Sequence, residues 1–206
     1  MQIYYANIDD INLGLTCISL VEDEAVRSKF INFAADQPKQ MMFKADEEHR
    51  TISGVALRAD FPIYRIDEDG NPYYIVFEGK TIEQMVKRYA KNNLMNQVSL
   101  QHNGKLVDGI YLYESYIINK KRGIVPEEFK EIEDRSWIVS FYVEDDEIWN
   151  EIKNGNSLQG FSVECLINLQ KKKLTPVTKQ SIPSNENSFE ATLEDPCDTL
   201  MNEILN

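Results

Sequence analysis

The chain has 206 residues and carries 22 Lys and Arg against 34 Asp and Glu, a formal charge of −12. That length suits one domain, or one domain with a tail, and 42% apolar with 27% charged residues is ordinary globular usage. An acidic surface repels phosphate, so no nucleic acid is expected as a partner. Charges interrupt every apolar run before the roughly 18–20 residues that a membrane helix needs, so no membrane is expected either. Met1-Gln2-Ile3-Tyr4 lacks the basic start and apolar core of a signal peptide, and the chain reads as soluble and unsecreted.

In chain order, Ile3 to Leu20 mixes Tyr, Ile and Cys with polar residues and predicts one or two short strands. An acidic stretch around Glu22-Asp23-Glu24, followed by Val26, Phe30 and Phe33, suits a short helix or irregular turn ended by Pro38. Alternation over Gln40 to Ala59, broken by the polar Glu47-Glu48-His49-Arg50, predicts a hairpin. A second hairpin runs from Phe61 to Phe77 around Asp69-Gly70-Asn71-Pro72, a strong turn signal. Thr81 reads as an N-cap for a helix with Ile82, Met85, Val86, Tyr89 and Ala90 on one face, up to about Asn93.

Gln97 to His102 is again extended, and Asn103 to Gly109 is a connecting loop. Ile110 to Asn119 is a long strand, Gly123 to Asp134 an acidic insertion, and Ser136 to Glu144 an apolar strand. Asp145 to Asn154 is a short helix with Ile148, Trp149 and Ile152, and Gly160 to Leu169 is a closing strand. These elements predict an α+β domain over residues 1–170. Its sheet would be a curved or closed antiparallel β-barrel of about seven strands, flanked by two or three helices. Residues 171–206 read as a Ser-, Asn-, Pro- and Thr-rich linker followed by an acidic amphipathic tail, a flexible extension suited to docking.

Three cysteines, Cys17, Cys165 and Cys197, form no C-x-x-C pair, so neither a zinc knuckle nor a redox motif is written. Only His49 and His102 supply imidazole, which excludes a His-rich metal site. The glycines form neither G-x-G-x-x-G nor a phosphate-binding loop, so no cofactor is expected. His49 sits in a charged turn and reads as a solvated loop residue. His102 ends a strand, in Leu100-Gln101-His102-Asn103, and Ser162 opens another, in Gly160-Phe161-Ser162-Val163-Glu164. A serine hydroxyl hardly ionises at neutral pH and needs a neighbouring base, which an imidazole on an adjacent strand can supply. Gly160 would let a substrate backbone approach closely. Cys165 is an odd step from Ser162 and is expected on the opposite side of the strand.

At these residues the sequence resembles the phage prohead (capsid maturation) serine proteases. The likeness rests on Gly54-Val55-Ala56, Phe61-Pro62-Ile63-Tyr64-Arg65, Tyr74-Ile75-Val76-Phe77, Leu100-Gln101-His102-Asn103 and Tyr113-Glu114-Ser115. Ser136-Trp137-Ile138-Val139-Ser140 with Trp149, and Gly160-Phe161-Ser162-Val163-Glu164, continue it in the same order. It is nearest to the phage serine protease branch of tailed phages and defective prophages; Ile18-Ser19-Leu20-Val21-Glu22-Asp23-Glu24-Ala25-Val26 is similar to that branch's opening, though a Pro often stands at the place of Glu24. The likeness covers about residues 10–170.

The resemblance implies a herpesvirus assemblin-like barrel with His102 as general base and Ser162 as nucleophile. It also implies cleavage of the scaffold protein and of the major capsid protein's leading segment, inside the assembling prohead in the host cytoplasm. A homodimer is possible by the same likeness, and the tail would be a scaffold-binding arm or a self-cleaved extension. The third member stays open. Glu164 shares a strand face with Ser162 and stands ahead of Glu114, while Glu190 or Glu194 further on are alternatives. A different class of function is a non-catalytic virion or scaffold-associated protein that retains the barrel.

Overall fold

A computed structural model describes residues 2–22, 42–67, 69–154 and 158–171. The strands are β1 (Gln2–Asn7), β2 (Gly14–Val21), β3 (Lys44–Asp46), β4 (Thr51–Leu57), β5 (Pro62–Ile66) and β6 (Pro72–Val76). Helix α1 (Gly79–Lys91) follows, then β7 (Val98–Leu100), β8 (Ile110–Ile117), β9 (Trp137–Val143), α2 (Asp146–Asn154), β10 (Gly160–Leu166) and β11 (Asn168–Gln170). The domain is α+β. The short helix or irregular turn expected between Glu22 and Pro38, Cys197, Glu190, Glu194 and nearly all of the linker and tail lie outside the described residues.

The sequence predicts a curved or closed antiparallel barrel of about seven strands; the strands form three sheets, and among the described residues no closed barrel is found. The first runs β11-β1-β6-β5, the second β10-β2-β7, the third β3-β4-β9-β8. Both hairpins form as antiparallel pairs, β3 with β4 and β5 with β6. The departure lies in two parallel pairings, β1 with β6 and β2 with β7, each joining segments far apart in the chain. The first two sheets share one long strand pair: β11 and β10 run antiparallel to β1 and β2, interrupted at Ile167 on one side and at residues 8–13 on the other. The third sheet touches the second where Phe43 N–H donates to Gln159 O at 2.8 Å.

Helix α1 forms because Ile82, Met85 and Tyr89 recur on one face, and all three are buried. Tyr89 meets Trp137 of β9 edge to face, centroids 5.6 Å apart. Thr81 does not cap the helix. The helix starts three residues earlier, with Glu78 at the cap, and the buried Thr81 hydroxyl donates to Ala6 O at 3.5 Å. Arg88 on the same helix donates to the carbonyls of Ile8, Asp10 and Leu13, pinning the loop before β2.

The main core gathers Ile18, Leu20, Ile52, Trp137, Phe141 and Phe161 with the α1 face. Gly54 lets β4 approach β10 closely: a Cβ there would stand 3.1 Å from Phe43 and 3.2 Å from the Phe161 ring. A smaller cluster of Val55, Ile118, Phe129, Ile132 and Ile138 seats the acidic insertion against the third sheet.

Candidate active site

The second sheet carries the chemistry. Its pairing aligns three serines in one row, Ser162 on β10 opposite Ser19 on β2, and Ser19 opposite Ser99 on β7. Directly paired residues share a sheet face, so all three hydroxyls start from the same side. Ile18 and Leu20, both fully buried, flank Ser19. Each contributes about 1.5–3 kcal/mol through burial, and a one-residue slip would move every side chain of β2 to the other face. Packing therefore holds the serine row in register.

β7 stops at Leu100 because Gln101 and His102 both turn left-handed, with φ of 52° and 54°. Histidine is among the few residues enriched in that region. The turn is held by Gln101 N–H donating to Leu20 O at 2.9 Å and Asn103 N–H donating to Leu100 O at 3.0 Å. The returning segment is tied back through Val107 N–H to Val98 O at 2.9 Å. This reversal shortens the strand expected through His102 and brings the imidazole to the Ser19–Glu164 cluster. His102 Nδ1 lies 3.1 Å from Ser19 Oγ and 3.2 Å from Glu164 Oε1.

Glu164, two residues beyond Ser162 on β10, reaches the same group. Its Oε1 accepts from Ser19 Oγ at 2.6 Å and from Ser99 Oγ at 2.8 Å, and those two hydroxyl oxygens are 2.5 Å apart. The Ser19 hydrogen bond does most to hold this carboxyl below its usual range. Partial burial opposes it, and the Ser99 and His102 contacts add to the lowering. Glu164 is therefore a carboxylate at neutral pH, beside a ring that is 43% exposed and open to a substrate.

Ser162 is buried, and among the described residues its hydroxyl makes no hydrogen bond. It lines a cavity of about 600 Å³ together with His102 and Glu164. Catalytic contacts are often long before substrate binds, so a shared cavity is the relevant geometry. Ile63, Tyr73, Ile75 and Leu169 add a largely apolar lining, together with Arg65, whose guanidinium is pulled below its ordinary value by burial. Cys165 lines the cavity too, rather than being confined to the opposite side of β10. The pairing register shifts between Glu164 and Cys165, so strict alternation ends there. Burial pushes its thiol up to about 11, against a smaller pull from Arg65, which leaves it protonated and a poor nucleophile. Cys17 is raised as well, chiefly by burial.

The remaining candidates go elsewhere. Glu114 sits on β8 in the third sheet, where its Oε2 accepts from Ser140 Oγ at 2.7 Å. A register shift between Leu112 and Glu114 breaks the parity count along that strand. His49 pairs with Asp46 at 2.9 Å on an exposed turn. Gly160 opens β10 opposite Val21, within the core pairing. Among the described residues, no group of three or more His, Cys, Asp and Glu side chains could hold a metal ion. Sequence reasoning missed Ser19 and Ser99 as site residues. Their only signal is a polar residue between two apolar neighbours in each strand, and strand partners are needed to read it.

Among known proteins, no curated protein and no solved structure matches the chain. A family model does match, over residues 39–169, a span that holds Ser99, His102, Ser162 and Glu164 on the strands and turn just described. Covering nearly two thirds of the sequence, that match makes the chain a member of the family described as "Putative phage serine protease XkdF".

Proposed function

We propose that this protein is a capsid-maturation serine endopeptidase, with Ser162 as nucleophile, His102 as general base and Glu164 as the group that orients the base. The observation carrying this reading is the convergence of His102, Glu164 and Ser162 on one cavity, with Nδ1 of the imidazole turned toward the carboxylate. A ring held through Nδ1 presents Nε2 as the basic nitrogen. Nε2 takes the Ser162 proton as Oγ attacks a scissile carbonyl, and then returns it to the departing amine. Water repeats the sequence on the acyl-enzyme and releases the second product. Glu164 stays ionised throughout and stabilises the imidazolium that forms.

The substrates are the scaffold protein and the leading segment of the major capsid protein, met inside the assembling prohead in the host cytoplasm. The apolar cavity wall suits an extended peptide with aliphatic side chains. An assemblin-like barrel belongs to the same reading, supported by the strand pair that continues from the first sheet into the second. So does a homodimer, which the resemblance to the prohead proteases implies.

Co-expression with a phage major capsid protein and scaffold tests the proposal by intact-mass analysis. The native chain is expected to shorten the capsid protein, and Ser162→Ala to leave it full length. Identical masses in both cultures would favour the non-catalytic, scaffold-associated alternative.

A further inference from the structure

Five contacts join Ser19, Ser99, His102 Nδ1 and Glu164 Oε1, yet the two hydroxyls and the ring nitrogen bring at most three protons. The shortest contact of the carboxylate, 2.6 Å to Ser19 Oγ, takes the Ser19 proton. Its other short contact, 2.8 Å, comes from Ser99, whose single proton is shared between Oε1 and the Ser19 oxygen 2.5 Å away. One carboxylate oxygen has two in-plane acceptor directions, and these two hydroxyls occupy them. The Nδ1 proton then finds its acceptor in the lone pairs of Ser19 Oγ at 3.1 Å, closer than Oε1 at 3.2 Å. Ser19 is fully buried and Ser99 nearly so, which leaves water little access to replace either hydroxyl. Ser19 also lies outside residues 39–169, so the family match assigns it nothing.

We infer that Ser19 is a positioning residue whose hydroxyl stands between base and acid, accepting from His102 Nδ1–H while donating to Glu164 Oε1. Glu164 thus acts on the imidazole through a hydroxyl bridge, and the bridge selects the tautomer that leaves Nε2 unprotonated. Ser99 has a lesser part: it steadies the carboxylate without being required for the ring. The consequence for catalysis rests on the protease reading above; the hydrogen-bond order does not.

The experiment is imidazole ¹⁵N NMR on the full chain at about pH 9, well above the ordinary histidine range. His49, on its exposed turn, provides the internal reference. In the wild type the His102 ring is expected mostly as the Nδ1–H tautomer. Ser19→Ala vacates one acceptor direction of Oε1. It should therefore keep the tautomer and carry the Nδ1–H proton signal downfield, as that proton passes onto the Glu164 carboxylate 3.2 Å away. Ser19→Thr should keep the wild-type pattern, and Ser99→Ala should change it little. Should Ser19→Ala fail to fold, Ser19→Cys carries the same expectation, because a thiol is a weak acceptor. An unchanged Nδ1–H signal in the folded Ala or Cys variant would overturn the inference. A parallel measurement follows the rate at which a fluorophosphonate acylates Ser162, expected to fall about 10-fold or more in Ser19→Ala and to recover in Ser19→Thr. Absence of any acylation in the wild type would sink the protease reading while the NMR result still decides the role of Ser19.

Discussion

Two sheets of this protein carry nearly the same polar chain. In the second, Ser99 and Ser19 donate to Glu164; in the third, Ser53 donates to Ser140 at 2.9 Å and Ser140 to Glu114 at 2.7 Å. In each, paired serines lie opposite one another on neighbouring strands and a glutamate completes the chain. Only the second has an imidazole within reach among the described residues, brought there by the left-handed turn at Gln101 and His102. It also has Ser162 in the same row, facing a cavity. A serine–carboxylate pair is therefore a common way to satisfy polar groups in a sheet. It becomes a candidate for chemistry when a base and a space for substrate are added.

The sharpest way to break this comparison is to remove one serine from each sheet. Ser162→Ala is expected to slow capsid-protein cleavage by at least about 10⁴-fold, with thermal unfolding unchanged, whereas Ser140→Ala should leave cleavage intact. The glutamates come next. Glu164→Gln should cost about 10²–10⁴-fold in the cleavage rate, as expected for the group that orients a catalytic imidazole, while Glu114→Gln keeps wild-type activity. Reversed outcomes would make the third sheet the site.

Stability separates the two chains more gently. Ser140→Ala removes a buried donor to Glu114 and the acceptor of Ser53, and should lower stability by about 1–2 kcal/mol in urea unfolding. The smallest effect concerns acid. Because folding depresses the Glu164 carboxyl, its stabilising contribution is present above about pH 4.5, the ordinary glutamate range. It fades as pH falls through the lower folded value. Urea midpoints of wild type and Glu164→Gln should therefore converge in strong acid and stay apart at neutral pH.

How much of this was legible beforehand follows from how local each signal is. The two hairpins, α1 and α2 are written in short-range patterns: turn residues at Asp69-Gly70, and apolar steps at Ile82, Met85 and Tyr89. The face shared by Ser162 and Glu164 needed only the two-residue period of a strand. The parallel pairings of β1 with β6 and β2 with β7 leave no local trace, since each partner's hydrogen bonds are made far along the chain. Without them the three-sheet topology and the serine row could not be read. Ser19 between Ile18 and Leu20, and Ser99 between Val98 and Leu100, look like isolated polar residues until β10, β2 and β7 are set side by side. Cys165 shows the converse, an alternation rule undone by one register shift. Bulges are not announced by composition.

The central claim is that the His102–Glu164 pair activates Ser162 and no other serine. Treating the full chain with a fluorophosphonate and mapping the adduct by peptide mass spectrometry tests this directly. A single adduct on Ser162, lost in Ser162→Ala and strongly slowed in His102→Ala, is the expected result. Adduct formation at Ser19, Ser99 or Ser140 instead, or labelling of Ser162 at the same rate without His102, would contradict it.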